Sequence, residues 1–110
     1  MKFIIFIFLI TFVSFTQVKD DISIVQFSAE FVKTKEISLT HFKDYNTQTL
    51  YLTKNQEIFK KEKIKSLPTI ILYNDGKEVI KIDGGIRLAL PEDTIKRIQK
   101  HIDSILESRF

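Results

Sequence analysis

The chain has 110 residues, enough for one domain, and its 28% charged and 44% hydrophobic residues are ordinary for a globular one. A formal charge of +3 is too mild for a nucleic-acid-binding signature. The absence of cysteine excludes disulfide staples, a lipoprotein anchor and any thiol chemistry.

Lys2 is followed by an uncharged stretch, Phe3–Phe15, which suits the apolar region of a signal peptide and is short for a membrane span. Ser14 and Thr16 are the small residues expected before a cleavage at Gln17. The expected organisation is a signal peptide at 1–16 and one domain at 17–110, exported to the periplasm or cell envelope. An uncleaved membrane anchor over 3–18 and a buried first strand are the alternatives. Of the 17 basic residues Lys2 is lost with the signal, leaving 16 against 14 acidic ones. The mature chain carries no further apolar stretch of membrane-spanning length.

Ile22-Ser23-Ile24-Val25-Gln26-Phe27 is β-branched and apolar and reads as a largely buried strand. Ser28 to Tyr45 places Ile37, Phe42 and Tyr45 at helix-compatible offsets, so one short helix is expected there, closed by Asn46 and Thr47. Thr49–Leu52 reads as the second strand. Thr53-Lys54-Asn55-Gln56 fits a capping box opening a helix that carries Ile58, Phe59 and, at its end, Ile64. Lys60, Lys61, Glu62 and Lys63 form its outer face, which reads as solvated, with a patch for an acidic partner as the alternative.

Pro68 cannot donate to a ladder, so the strand over Leu67–Tyr73 should begin there or lie at an edge. Asn74-Asp75-Gly76 is a hairpin turn, and Glu78–Ile82 alternates as an antiparallel strand with one wet face. Gly84-Gly85 ends that strand. Pro91-Glu92-Asp93 opens a last helix whose Ile95, Ile98, Ile102, Ile105 and Leu106 form a core-facing stripe. The order strand, helix, strand, helix, strand, strand, helix predicts an α/β domain. Its core is a four-stranded mixed sheet with helices on both faces.

Particular runs resemble the thioredoxin family. Val25–Phe31 (VQFSAEF) is similar to the family's V-D-F-W-A-E-W, and Ile64–Thr69 (IKSLPT) to I-R-G-I-P-T. Tyr73–Gly76 (YNDG) is similar to F-K-N-G, and Gly84 falls where the family keeps a glycine. The likeness extends to cysteine-free thioredoxin-like proteins of Bacteroidetes, whose chains similarly end in an acidic helix followed by Phe. It implies a minimal thioredoxin-like fold, βαβ plus ββα, without the family's additional first strand and helix. The segment from Lys35 to Thr53 is too short for the family's long helix by roughly two turns, which would leave Phe42 and Tyr45 as an exposed face suited to dimerisation.

In the family, the turn after the first of these runs is Cys-Gly-Pro-Cys. Here Val32-Lys33-Thr34-Lys35 stands in its place, and Gln26 stands where the family has a buried aspartate. Thiol exchange needs a thiolate, which neither valine nor lysine supplies. The expectation is a redox-inactive module that binds an unidentified protein or peptide and uses no cofactor or metal. The resemblance implies a cis Leu67–Pro68 bond and a peptide-binding groove formed by Val32, Lys33, Thr34, Leu67, Pro68 and Gly84. The alternative is an enzyme of non-thiol chemistry using Lys33 or Lys35 as a base or Schiff-base amine, which requires a desolvated lysine. His41 and His101 lie far apart, and Ser28, Ser38, Ser66 and Ser104 have no base partner in any motif.

Overall fold

The computed structural model describes residues 22–109, so the expected signal peptide lies outside the described residues. Four strands form one mixed sheet: β1 (Ile22–Ser28), β2 (Asn46–Tyr51), β3 (Thr69–Asn74) and β4 (Lys77–Asp83), in the spatial order β2-β1-β3-β4. β1 and β2 are parallel, whereas β1–β3 and β3–β4 are antiparallel. Two α-helices accompany them, α1 (Gln56–Lys61) and α2 (Thr94–Ser108). Neither is long and apolar enough to cross a membrane.

Strand alternation divides the apolar residues between the two faces. Ile22 and Ile24 of β1, Ile70 and Leu72 of β3 and Ile82 of β4 pack on one face against Ile98 and Ile102 of α2. Val25, Phe27 and Ile71 point to the other face, where Phe59 of α1 covers them. The Phe27 and Phe59 rings meet edge to face at 5.1 Å and 82°, the favourable arrangement for two π-systems. The layered mixed sheet expected from the element order is therefore present.

The connection between β1 and β2 departs from the expected helix. It contains two 3-10 segments, Glu30–Lys35 and Thr40–Phe42, and no α-helix. Its apolar positions nonetheless reach the core: Phe42 is fully buried, with Ile37 and Tyr45 packed beside it. Phe42 is thus no exposed dimerisation surface. In place of a helix face, Phe42 together with Ile37, Leu39 and Tyr45 covers this side of the core from irregular backbone.

The capping box is also absent. Leu52–Lys54 forms a 3-10 turn, α1 starts at Gln56, and its N-cap Asn55 makes no side-chain cap. The Asn55 amide instead donates to the Tyr51 carbonyl at 2.9 Å. At the other end of α1, the Ile64 amide donates to the Phe59 carbonyl at 2.9 Å and that of Lys63 to the Lys60 carbonyl at 3.1 Å. Lys63 adopts φ 57°. This is a Schellman termination with lysine where glycine is favoured, and Phe59 and Ile64 supply its apolar contact. The left-handed backbone costs lysine about 1–2 kcal/mol, and glycine loses about 0.5–1 kcal/mol more chain entropy. Lys63→Gly is therefore expected to raise stability by about 0.5–1 kcal/mol, read as an increased urea midpoint with an unchanged m-value.

Glu62 anchors the end of α1 to the hairpin. The Tyr73 hydroxyl donates to its Oε1 at 2.8 Å, and Lys81 Nζ donates to its carbonyl at 3.0 Å. Burial, and then this bond to a carboxylate, push the Tyr73 phenol above the ordinary tyrosine range. The β3–β4 turn has Asp75 at φ 56° and Gly76 at φ 79°, the two positive-φ positions expected of the Asn74-Asp75-Gly76 hairpin.

Candidate functional site

Phe27, near the end of β1, pairs with Thr69 at the start of β3, and Thr69 pairs with Asp83 at the end of β4. The 3-10 turn after β1, the loop before β3 and the loop after β4 therefore converge at one end of the sheet. Ile22, where β1 begins, pairs with Asn74 at the opposite end. Hydrogen bonds hold the convergence. Thr69 Oγ1 donates to the Ser66 carbonyl at 2.6 Å, and the Gly84 amide donates to the Pro68 carbonyl at 2.9 Å. The Leu67–Pro68 peptide bond is cis.

The six residues expected to form a groove lie close to this convergence but do not share one role. Val32, Pro68 and Gly84 are buried, Lys33 and Thr34 are exposed on the turn, and Leu67 is half-buried. Only Leu67 lines the open hollow found there. That hollow, about 380 Å3, is bounded also by Phe31, Lys65, Ser66, Gly85, Ile86 and Leu88. Phe31 is 69% exposed, Ile86 100% and Leu88 41%. Sequence reasoning missed these three. Phe31 directly precedes the turn, and Ile86 and Leu88 flank Arg87 in a loop of neither helical nor strand period. An apolar loop residue reads equally well as core, so only the fold could separate the two.

Gly84 has an ordinary φ of −83°, so it is not needed for backbone freedom. A Cβ there would lie 2.8 Å from the Ala89 backbone nitrogen. Backbone cannot rotate away as a side chain can, so the 85–89 loop would have to shift. Gly84→Ala is expected to cost about 1–3 kcal/mol, read by urea denaturation, and to displace the loop that carries Ile86 and Leu88. Leu88 itself sits at φ 57°, a conformation costing an L residue about 1–2 kcal/mol.

No protein-family model matches the sequence, and neither does any curated protein. Solved structures do match. A thioredoxin from Nicotiana alata is 21% identical with a TM-score of 0.63, over 86% of this chain and 84% of its own. The Fasciola hepatica thioredoxin is 22% identical with a TM-score of 0.59, over 76% and 83%. Thioredoxin-2, a component of malaria parasite protein secretion machinery, is 24% identical with a TM-score of 0.60, over 78% and 88%. The chain has the thioredoxin fold.

Within that thioredoxin fold, polar contacts organise the shortened β1–β2 connection. The Gln26 side chain is 1% exposed. Its Nε2 donates to the Ile37 carbonyl at 3.0 Å, and its Oε1 accepts from the Ile37 amide at 3.0 Å. A carboxylate could accept from the amide but could not donate to the carbonyl. Gln26 thus has a positive role that the family's aspartate, if ionised, could not fill. One residue earlier in the connection, Glu36 Oε2 accepts from Ser28 Oγ at 2.8 Å. Tyr51, the cross-strand partner of Ser28, also hydrogen-bonds the Glu36 carboxylate, which is the foremost cause raising its phenol above the usual range. Ser28 therefore has a carboxylate partner that no sequence motif revealed. Together these bonds fix Glu36 and Ile37 to the ends of β1 and β2.

The chemistry available at this end of the thioredoxin fold is limited. The chain holds no cysteine, so disulfide exchange has neither nucleophile nor resolving thiol. Lys33 and Lys35 are both exposed, unlike the desolvated lysine that base or Schiff-base chemistry needs. Ser28 is wholly buried, which closes it to a substrate. Among the described residues, no three of His, Asp and Glu come together as a metal site requires.

Proposed function

We propose that this protein is a redox-inactive thioredoxin-fold module that binds an extended peptide or protein segment at the hollow around Leu67. The observation that carries this reading is the grouping of Phe31, Ile86 and Leu88. Three of the five exposed large hydrophobics of the described chain line one hollow. Contiguous exposed apolar surface is retained where something docks. The Leu67 backbone N–H and C=O make no hydrogen bond among the described residues, so a segment laid alongside can pair with them as an added strand.

The module acts outside the cytoplasm, in the periplasm or cell envelope. The apolar stretch Phe3–Phe15 supports this. The alternative is that residues 3–18 stay uncleaved as a membrane anchor.

The test is capture from an envelope extract of the source organism by the wild-type chain and by Ile86→Ser. Ile86 is fully exposed, so the substitution should leave stability within about 0.5 kcal/mol. Partners bound by wild type and lost by Ile86→Ser are expected; identical captures overturn the groove reading.

A further inference from the structure

We infer that the segment bound at this groove pairs an apolar anchor with neighbouring carboxylates. The inference rests on the groove reading and adds the chemistry of its occupant. A second hollow, about 350 Å3, lies beside the first and is lined by Leu52, Gln56, Phe59, Lys60, Ile64, Lys65 and Leu67. The two share Lys65 and Leu67. They form one track that is apolar at the Phe31–Ile86–Leu88 end and carries Lys60 and Lys65 toward α1.

The residues that line this track carry charge of one sign. Lys60 and Lys65 line it, both exposed, and no carboxylate lines either hollow. Glu30 and Glu57 adjoin Phe31 and Gln56 in sequence, and Asp83 Oδ1 stands 3.9 Å from where a Cβ on Gly85 would lie, but none of the three joins the lining. Glu62, next along the chain, is engaged by the Tyr73 hydroxyl. Neither lysine has an ion-pair partner among the described residues. Lys61, Lys63 and Arg87 are also exposed beside the lining residues and add to the same field.

An occupant that puts an aliphatic or aromatic side chain between Phe31, Ile86 and Leu88 extends its chain past Leu67 onto these lysines. Asp or Glu there complements them; Lys or Arg there is repelled. Such rim charges act mainly on association rate and salt dependence, and the apolar anchor supplies retention. Binding should accordingly weaken as ionic strength rises. The lysine-rich face of α1, otherwise readable as mere solvation, thereby becomes the selective half of the site.

A library of random short peptides displayed on phage and selected on the whole chain tests this. Recovered peptides should carry an aliphatic or aromatic residue next to Asp or Glu. They should bind the Lys60→Glu/Lys65→Glu chain at least about tenfold more weakly. Both lysines are exposed, and unchanged circular dichroism verifies that the double variant is folded. Peptides without acidic enrichment, or acidic peptides that bind the double variant equally well, overturn the inference and leave the groove reading standing. Peptides that bind Ile86→Ser as tightly as wild type, or no recovered peptide at all, overturn both.

Discussion

Gln26→Glu is expected to destabilise the protein by about 2–4 kcal/mol at neutral pH, and to regain most of that stability in acid. The ionised carboxylate keeps an acceptor for the Ile37 amide but leaves the Ile37 carbonyl, at 3.0 Å in the native pairing, without its donor. It also places a charge at a position 1% exposed, where the desolvation cost is not offset by a cation. When protonated, the carboxyl has an O–H for the Ile37 carbonyl and an acceptor for its amide, reproducing the native exchange.

The sign follows from proton linkage. Burial raises the introduced carboxyl's pKa in the folded state above its unfolded value of about 4.3. Between those two values the folded chain binds more protons than the unfolded one, so stability falls as pH rises through that window. Below about pH 4 the penalty is absent. Urea midpoints of the variant and wild type across pH measure this difference directly. Gln26→Leu lacks both hydrogen bonds at every pH, so its penalty should be flat over the same range. A flat profile for Gln26→Glu would show that its carboxyl titrates alike in the folded and unfolded chain, against a buried position that needs a donor.

Phe42→Ala is expected to cost about 3–5 kcal/mol, the range for deleting a fully buried aromatic ring. Phe42 is 0% exposed and lies in the main core cluster with Ile22, Ile24, Ile98 and Ile102. It is carried by a 3-10 turn of three residues, Thr40–Phe42, with no α-helix on either side before β2. Domains of this size hold only about 5–15 kcal/mol in total, so the variant should be near its unfolding transition at moderate temperature. Chemical denaturation of the two chains measures the difference. A loss below about 1 kcal/mol would fit a Phe42 that merely rests on the surface, and the connection would then need another source of order.

The parts of this fold that repeat were legible in the sequence. The β-branched, apolar run Ile22–Phe27 reads as a buried strand, and the three-and-four spacing of Ile95, Ile98 and Ile102 follows the helix period. Asp75-Gly76 and Pro68 announce their backbone geometry by residue type. The β1–β2 connection was not legible, because its order comes from Gln26 reaching Ile37 and Ser28 reaching Glu36. Those pairs lie 11 and 8 residues apart along the chain, and neither partner has a periodic signature. The same limit applies at the site. Leu67, Pro68 and Gly84 marked its location, but Pro68 and Gly84 turned out to be its buried frame. The residues facing outward, Phe31, Ile86 and Leu88, are set by how three loops converge. The Thr53–Gln56 pattern misled for a local reason: Asn55 spends its side chain on the Tyr51 carbonyl, leaving the helix start uncapped.

The proposed role of this thioredoxin fold is that of a framework that brings three loops together over Leu67 as a docking surface for a peptide. The most direct measurement of that claim is backbone amide chemical-shift mapping of the labelled chain, titrated with a peptide recovered by selection on it. The largest changes should fall at Phe31, Leu67, Ile86 and Leu88, spreading toward Lys65 and Lys60. Changes confined to the outer edge of β2 or to the exposed face of α2, with those four residues unmoved, would contradict it.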